Sequence, residues 1–300
     1  MRRIIRLGDI GEDVKLIQLK LDITSDSVFG TETLKAVKAF QARYGLVVDG
    51  IVGPSTQSVL FNENGAFGQD VDSEITEVPY ESLIMEPDEW NSGPNNPEFI
   101  FYHHTSGWHN PYNVIRQWND DNRGKIGTQW VIGGPSVRDG NKRHDGQVVK
   151  CMPDGAWAFH LGAVDRKMHV NSIGIEVCNF GALTEVGHGF ITYTGQLVDD
   201  SQICDLGKKW RGYRYWHKYS DAQLEALKNL TKMIALEHEI DLNSGLKQWL
   251  NDNNDEKSAF NYVVDARHGN IKGLLSHSNV RRDKLDMSPQ DNLIKMIKSL

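Results

Sequence analysis

The sequence lacks several features that would place it in a common class of protein. Three cysteines, a small and odd number, give no disulfide framework, and the lack of a Cys-x-x-Cys pair excludes a cysteine-rich structural zinc site. No run of about eighteen apolar residues is present, so no membrane-spanning helix is predicted. The formal net charge of -7 argues against a nucleic-acid-binding protein.

The amino terminus also lacks the apolar segment of a secretory signal. Its first residues are basic, but Asp9, Glu12 and Asp13 come too early for an export signal. We therefore expect the chain to be made in the cytoplasm and, by itself, to stay there.

The composition predicts two domains joined by a linker, which suits a chain of 300 residues. Residues 62–95 contain many acidic residues together with Asn, Gly, Ser and Pro, and their apolar residues are isolated. Such a segment cannot bury much surface. The predicted boundaries are 1–61 for the first domain, 62–95 for the acidic linker and 96–300 for the second domain.

A short internal repeat organises the first domain. The pattern D-x-x-x-G-x-x-T occurs at 26–33 and again at 49–56, and each copy predicts a tight turn followed by an amphipathic helix. An earlier helix is predicted from Glu12 to Leu21.

These motifs resemble the small three-helix peptidoglycan-binding domain. The resemblance is carried by the segments 16–21 (LIQLKL), 29–33 (FGTET), 36–41 (AVKAFQ) and 45–56 (GLVVDGIVGPST). It implies that the first domain folds as three helices and binds the bacterial cell wall.

The second domain alternates short apolar runs with helical patterns. Strands are predicted at 98–102, 128–133, 148–152, 172–177 and 273–276, and helices at 111–119, 220–239 and from 288 onwards. Strands mixed with helices indicate an α/β domain. The predicted fold class is therefore α/β, with a mixed central β-sheet flanked by helices, plus the small three-helix N-terminal domain.

Two histidines and one aspartate stand where metal ligands would be expected. His103 follows the apolar run 99–102, His277 follows the run 273–276, and Asp286 comes nine positions after His277. A strand that ends in a histidine presents it at the edge of a sheet, and a catalytic Zn2+ takes three protein ligands with a fourth position open. The sequence therefore predicts a zinc site at this edge.

The second domain resembles the type-2 N-acetylmuramoyl-L-alanine amidase family, which is related to the peptidoglycan recognition proteins. The shared motifs follow the family's order at 101–107 (FYHHTSG), 157–162 (WAFHLG), 171–176 (NSIGIE), 219–227 (YSDAQLEAL) and 277–286 (HSNVRRDKLD). The resemblance implies that His103, His277 and Asp286 are the zinc ligands and that Glu176 and Lys284 are catalytic.

The sequence departs from the family in the loop that follows His277. The loop ends Asp286-Met-Ser-Pro rather than with Pro-Gly, so Asp283 stays open as an alternative third ligand. The segment 127–130 lacks a tyrosine that some relatives have there, and those relatives tend to lack the glutamate found here at Glu176. This combination favours a glutamate-based mechanism.

Four further residues are predicted to bind substrate in the groove: His160, His104, Trp108 and Asn171. The segments 188–215 and 246–269 are not explained by the motifs. We interpret them as insertions that shape the groove.

The resemblance implies zinc-dependent hydrolysis of the amide bond between N-acetylmuramic acid and L-alanine in peptidoglycan. A wall-binding domain joined to such an enzyme suggests a phage-type endolysin, held in the host cytoplasm until it is released to the wall. The predicted partner is peptidoglycan, through its glycan strand and stem peptide, with no nucleic acid and no membrane insertion, and the chain is expected to be a monomer. The alternative is a non-catalytic peptidoglycan-binding protein, against which the full ligand set, Glu176 and Lys284 argue.

Overall fold

The computed structural model describes residues 4–21, 23–43, 46, 48–61, 78–93, 96–252 and 255–300. The chain divides into two compact units, Met1–Glu77 and Val78–Leu300. Within the described ranges, no helix combines the length and the apolar character needed to cross a bilayer.

The described residues of the first unit form three helices, as predicted: α1 (Glu12–Lys20), α2 (Thr31–Arg43) and α3 (Pro54–Leu60). Isolated backbone pairings of Ile5 with Val52 and of Ile10 with Val28 tie the connecting segments together. The apolar core of this unit consists of Ile5, Val14, Ile17, Phe29, Val37, Val52 and Leu60.

A buried glutamine closes the first copy of the repeat. Gln18 Nε2 lies 2.7 Å from Asp26 Oδ1, 3.0 Å from the carbonyl oxygen of Val28 and 2.9 Å from Thr33 Oγ1. The aspartate in turn accepts the backbone N–H of Val28 at 2.9 Å. The D-x-x-x-G-x-x-T pattern is therefore a turn that one side chain from the preceding helix holds in shape.

The second copy repeats this network with Gln41. Its Nε2 lies 2.8 Å from Asp49 Oδ1, 2.9 Å from the carbonyl oxygen of Ile51 and 3.2 Å from Thr56 Oγ1. The equivalence of the two networks explains why the same residue types recur at the same spacing.

Replacement of Gln18 by leucine is expected to destabilise the first unit. The change removes the hydrogen bonds that the buried Gln18 amide makes to Asp26, Val28 and Thr33, and their combined loss costs about 2 kcal/mol. In the full chain, amide hydrogen exchange in α1 and α2 should become faster by about 30-fold. The control Lys35→Ala, at an exposed position of α2, should leave exchange unchanged. Equal exchange in Gln18→Leu and Lys35→Ala would contradict the role of the glutamine.

Strands and helices alternate along the second unit. The strands are β1 (Tyr80–Ser82), β2 (Phe99–His104), β3 (Trp130–Ile132), β4 (Val148–Lys150), β5 (Ser172–Val177), β6 (Thr184–Val186), β7 (Gly189–Ile191), β8 (Leu197–Val198), β9 (Ile203–Trp210), β10 (Tyr213–His217) and β11 (Gly273–Ser276). The helices are α4 (Pro111–Asp120), α5 (Arg166–Val170), α6 (Asp221–Glu237), α7 (Leu246–Asp252), α8 (Val264–Arg267), α9 (His277–Val280) and α10 (Asp291–Lys298), with 3-10 helices at Asp200–Gln202 and Glu256–Phe260.

A six-stranded mixed sheet forms the centre of the second unit, in the order β1-β4-β3-β5-β2-β11. Neighbouring strands are parallel except for β3 and β4, which are antiparallel. A capping box between Ser220 and Gln223 starts helix α6, and the buried side of this helix packs on the sheet core. Ile115 and Trp118 of α4 pack with Val131 and Val149. The predicted mixed sheet flanked by helices is confirmed.

The predicted linker differs from what the structure describes. Residues 62–77 and 94–95 of the predicted segment 62–95 lie outside the described residues. The remainder belongs to the second unit, because β1 pairs with β4 in a register that aligns Tyr80 with Val148. Val78 and Met85 are buried in the core of that unit. These isolated apolar residues serve as anchors for an edge strand, so the second unit begins before residue 96.

The two predicted insertions are folded parts of the second unit. The segment 188–215 includes β7 and β8, which with β6 form a three-stranded antiparallel sheet, and most of the hairpin β9–β10. The segment 246–269 includes α7, a 3-10 helix and α8, and buries Leu246, Leu250 and Phe260.

Candidate active site

Three parallel strands bring the predicted site residues to one edge of the sheet. Strand β2 lies between β5 and β11 and is parallel to both. In this register His103 is directly opposite Glu176, and His277 comes one residue after the end of β11. Because parallel strands end at the same edge, residues far apart in sequence meet there.

The three predicted ligands form a nearly equilateral triangle of ligand atoms. His103 Nδ1 lies 3.1 Å from His277 Nδ1 and 3.3 Å from Asp286 Oδ2, and His277 Nδ1 lies 3.1 Å from Asp286 Oδ2. A tetrahedral zinc with bonds of about 2.0–2.1 Å separates its ligand atoms by about 3.3 Å. Within the described residues, the donor set and its spacing therefore fit Zn2+.

The protonation of the triad also suits a cation. Burial lowers the pKa of His103 to about 4, so its imidazole is neutral near pH 7. Burial alone would raise the pKa of the Asp286 carboxyl, but His277 and His103 hold it well below its usual range. A neutral imidazole and an ionised carboxylate are the forms that bind metal.

The alternative ligand Asp283 also lines the cleft, but its carboxylate pairs with Arg281. Its carboxylate accepts two hydrogen bonds from the Arg281 guanidinium, at 2.8 and 2.7 Å, and its side chain is 62% exposed. The hydrogen bonds from Arg281 lower its pKa to about 2. The geometry thus brings Asp286, and not Asp283, to the two histidines.

A second histidine stands behind the first ligand. His160 Nδ1 lies 2.9 Å from His103 Nε2, and His160 Nε2 lies 2.8 Å from Ser172 Oγ. A Cβ atom at Gly174 would lie 3.0 Å from His160 Nδ1 and 2.6 Å from a methyl carbon of Thr128. The glycine of the Ser-Ile-Gly-Ile-Glu motif therefore leaves space for this imidazole on the face of β5 that also carries Ser172 and Glu176.

These contacts change the predicted role of His160. Both of its ring nitrogens are engaged within the protein, although the side chain reaches the cleft wall. Partners of this kind fix the orientation and tautomer of a metal-binding histidine. We therefore expect His160 to orient His103 rather than to bind substrate.

The triad opens into a cleft of about 680 Å³. Glu176 and Lys284 both line it, beside the three ligands. Burial, and then the negative charge of Asp286, raise the pKa of Glu176 to about 8, while the Lys284 charge opposes the shift. A carboxyl group that titrates near neutral pH is suited to accept and return a proton.

Two of the other predicted groove residues lie at the cleft and one does not. His104 is buried with its Nδ1 3.0 Å from the Tyr219 hydroxyl, and Trp108 packs edge-on against Phe180 at 5.1 Å, and both line the cleft. Asn171 precedes β5 and is not among the described residues that line the cleft. It lies five positions before Glu176, which is about 16 Å along an extended strand.

The cleft also contains residues that no sequence motif singled out. Tyr193, in the turn between β7 and β8, is 70% exposed and lines the cleft. Its ring centroid lies 6.4 Å from that of Phe180. In the sequence, the signal for Tyr193 is that it is an aromatic residue in the unexplained segment 188–215. The sequence did not show that this segment folds towards the cleft.

Comparison with known proteins gives two family matches. A family model described as N-acetylmuramoyl-L-alanine amidase matches residues 93–279, and one described as a putative peptidoglycan binding domain matches residues 11–60. Lys284 and Asp286 lie beyond the first match, so their assignment depends on the geometry.

Individual relatives match either a short part of the chain or a longer part at low sequence identity. A zinc D-Ala-D-Ala carboxypeptidase of Streptomyces albus G is 31% identical over 94 residues, which are 29% of this chain and 35% of that protein. A peptidoglycan-binding protein from Clostridioides difficile is 43% identical over 19% of this chain and 40% of that one, with a TM-score of 0.19. The E. coli amidase AmiD is 18% identical over 50% of this chain and 48% of that one, with a TM-score of 0.32. The chain thus spans about a third of the length of the curated relative that it matches.

The choice between the two aspartates can be tested by metal content. Asp286→Ala should lose most of the bound zinc after dialysis, because one of three protein ligands is removed. Asp283→Ala should keep it, since this carboxylate pairs with Arg281. Elemental analysis of both variants measures the outcome, and loss of zinc from Asp283→Ala alone would reverse the assignment.

Proposed function

This chain belongs to the N-acetylmuramoyl-L-alanine amidase family, and from that premise we propose that it is a zinc-dependent peptidoglycan hydrolase. The bond cut is the amide between the lactyl group of N-acetylmuramic acid and L-alanine. The observation that carries the proposal is the triangle of His103, His277 and Asp286 in a cleft that Glu176 and Lys284 also line.

Different side chains of the protein have different roles in the reaction. When bound, Zn2+ lowers the pKa of a water molecule and polarises the carbonyl group of the substrate. Glu176 takes a proton from the attacking water and returns it to the leaving amine nitrogen. The Lys284 ammonium stabilises the negative charge that develops on the carbonyl oxygen. His160 keeps the His103 ring in one orientation.

A non-catalytic peptidoglycan-binding protein is the alternative function. Binding alone requires neither a general base nor a cation beside a metal site. A half-buried glutamate whose pKa is raised to about 8, with a lysine at the same cleft, favours an enzyme.

The first unit supports a role in attachment to the wall. Residues 11–60 match the peptidoglycan-binding family model, and a wall anchor suits an enzyme that acts on the intact polymer rather than on soluble fragments. We further propose that the chain is a phage-type endolysin that acts as a monomer and has no nucleic-acid partner. It would be released from the host cytoplasm to the wall.

The bond that is cut can be identified from the digestion products. Purified peptidoglycan incubated with the zinc-loaded chain should give new L-alanine amino termini and intact glycan strands, as measured by mass spectrometry. Glu176→Gln should keep zinc and lose about 10²–10⁴-fold in rate, because the general base is removed. The control Glu185→Gln, at an exposed position of β6, should retain activity. New reducing ends would refute the amidase assignment.

Removal of residues 1–61 separates attachment from cleavage. The shortened chain should sediment less with intact cell walls, because the wall-binding unit is gone, but should hydrolyse soluble muropeptides at the parent rate. Unchanged sedimentation would contradict the anchoring role of the first unit.

A further inference from the structure

The hairpin β9–β10 ends in an unusual turn. Trp210 pairs with Tyr213, which leaves Arg211 and Gly212 as a two-residue turn. Both turn residues have positive φ angles, 49° and 92°, as in a type I′ turn. Asparagine, aspartate and glycine are the residues that such turns favour, and an arginine in the left-handed region is uncommon.

The hairpin is firmly packed next to its turn. Trp210 and Trp216 are both buried in the main core, with ring centroids 5.4 Å apart. The Arg211 guanidinium lies 5.1 Å from the centre of the Trp210 ring. The turn is therefore a rigid point from which the Arg211 side chain projects.

The Arg211 guanidinium donates hydrogen bonds to four backbone carbonyl groups, one in the short helix α9 and three in the loop that follows it. Nη1 lies 2.6 Å from the carbonyl oxygen of Arg282, 2.6 Å from that of Lys284 and 3.4 Å from that of Arg281. Nη2 lies 3.1 Å from the carbonyl oxygen of Ser278. One side chain of the hairpin thus spans a loop that follows it by some seventy residues in the sequence.

This loop is the part of the chain that completes the metal site. Every carbonyl group that Arg211 contacts lies between His277 and Asp286, the second and third ligands. From 281 to 290 the backbone forms no helix or strand, so its carbonyl groups need donors from elsewhere. The backbone N–H of Ser278 donates to the carbonyl of Asp286 at 3.0 Å and closes the base of the loop.

We propose that Arg211 is a positioning residue that fixes the loop between His277 and Asp286, so that Asp286 Oδ2 and the Lys284 ammonium are in place before metal and substrate bind. An arginine suits this task because its planar guanidinium presents five N–H groups in several directions and stays charged. A lysine ammonium places all its donors on one nitrogen and cannot span the same set of carbonyls. The inference rests on the proposed metal site, and it gives the insertion 188–215 a function.

The physical consequence is preorganisation of the metal site. Without the guanidinium, the loop samples more conformations, and metal binding must order it each time. Loss of groups that support metal ligands typically weakens metal affinity by about 10–100-fold. Zinc affinity is therefore the primary measurement, and it does not depend on which bond the enzyme cuts.

The informative substitution is Arg211→Asn. Asn-Gly is a preferred type I′ sequence, so this change removes the guanidinium while favouring the hairpin turn. The control is Arg214→Gln in the same hairpin. The Arg214 guanidinium donates two hydrogen bonds, of 2.7 and 2.6 Å, to the exposed carboxylate of Asp205, which is in the hairpin and not in the loop. Arg211→Lys keeps the positive charge but donates hydrogen bonds from a single nitrogen.

The full chain and its three variants would be compared by zinc competition with a chelator and by hydrogen exchange of residues 278–288 in the zinc-free state. Arg211→Asn should bind zinc at least about 10-fold more weakly, with faster exchange in the loop and an unchanged circular dichroism spectrum. Arg211→Lys should be intermediate, and Arg214→Gln should match the parent.

Several outcomes would overturn the proposal. Parent affinity and parent exchange in Arg211→Asn would show that the loop holds its shape without the guanidinium. If Arg211→Asn and Arg214→Gln lose zinc affinity equally, Arg211 contributes only to the stability of the hairpin. The same conclusion follows if Arg211→Asn unfolds while Arg211→Lys binds zinc with the parent affinity. A parent chain that binds no zinc would instead refute the metal site itself.

Discussion

The parallel pairing of β2 with β5 and β11 is the constraint on which the site depends. It places His103 opposite Glu176 and brings the start of α9, with His277, to the same edge. Since neighbouring strands are only about 5 Å apart, a candidate ligand, a candidate base and a second candidate ligand converge without any special loop. The third candidate ligand, Asp286, is different, because it comes from irregular backbone that must be held by other parts of the protein.

The candidate ligand on a strand and the candidate ligand on the loop are supported in different ways. His103, the candidate ligand on a strand, is held from behind by His160, which rests on Ser172 and occupies the space left by Gly174. The ligand on the loop depends on backbone carbonyls that accept hydrogen bonds from Arg211. An ionised carboxylate at a buried position is costly unless a cation pairs with it, and a metal at the triad would provide that cation.

The first unit shows how far a local pattern can be interpreted. The repeated Asp, Gly and Thr predicted two equivalent turns followed by helices, and the structure has them. The glutamines that close these turns stand on the preceding helices, at Gln18 and Gln41, so their role depends on how helix and turn pack together. A similar limit applies to Asn171, which does not line the cleft among the described residues. A motif that runs along a strand does not say which end of the strand meets the cleft, and only Glu176, at the carboxyl end, does.

The sequence alone determined the fold class, the three-helix unit and the identity of the triad candidates, because apolar periodicity and short motifs are local properties of the chain. It left open the choice between Asp283 and Asp286 and the use of the segment 188–215, and it placed His160 among the substrate-binding residues. Tertiary structure decided which partners these residues contact, because each contact joins distant segments of the chain. Arg281 engages Asp283, Ser172 engages His160, and the turn at Arg211 engages the loop that carries Asp286.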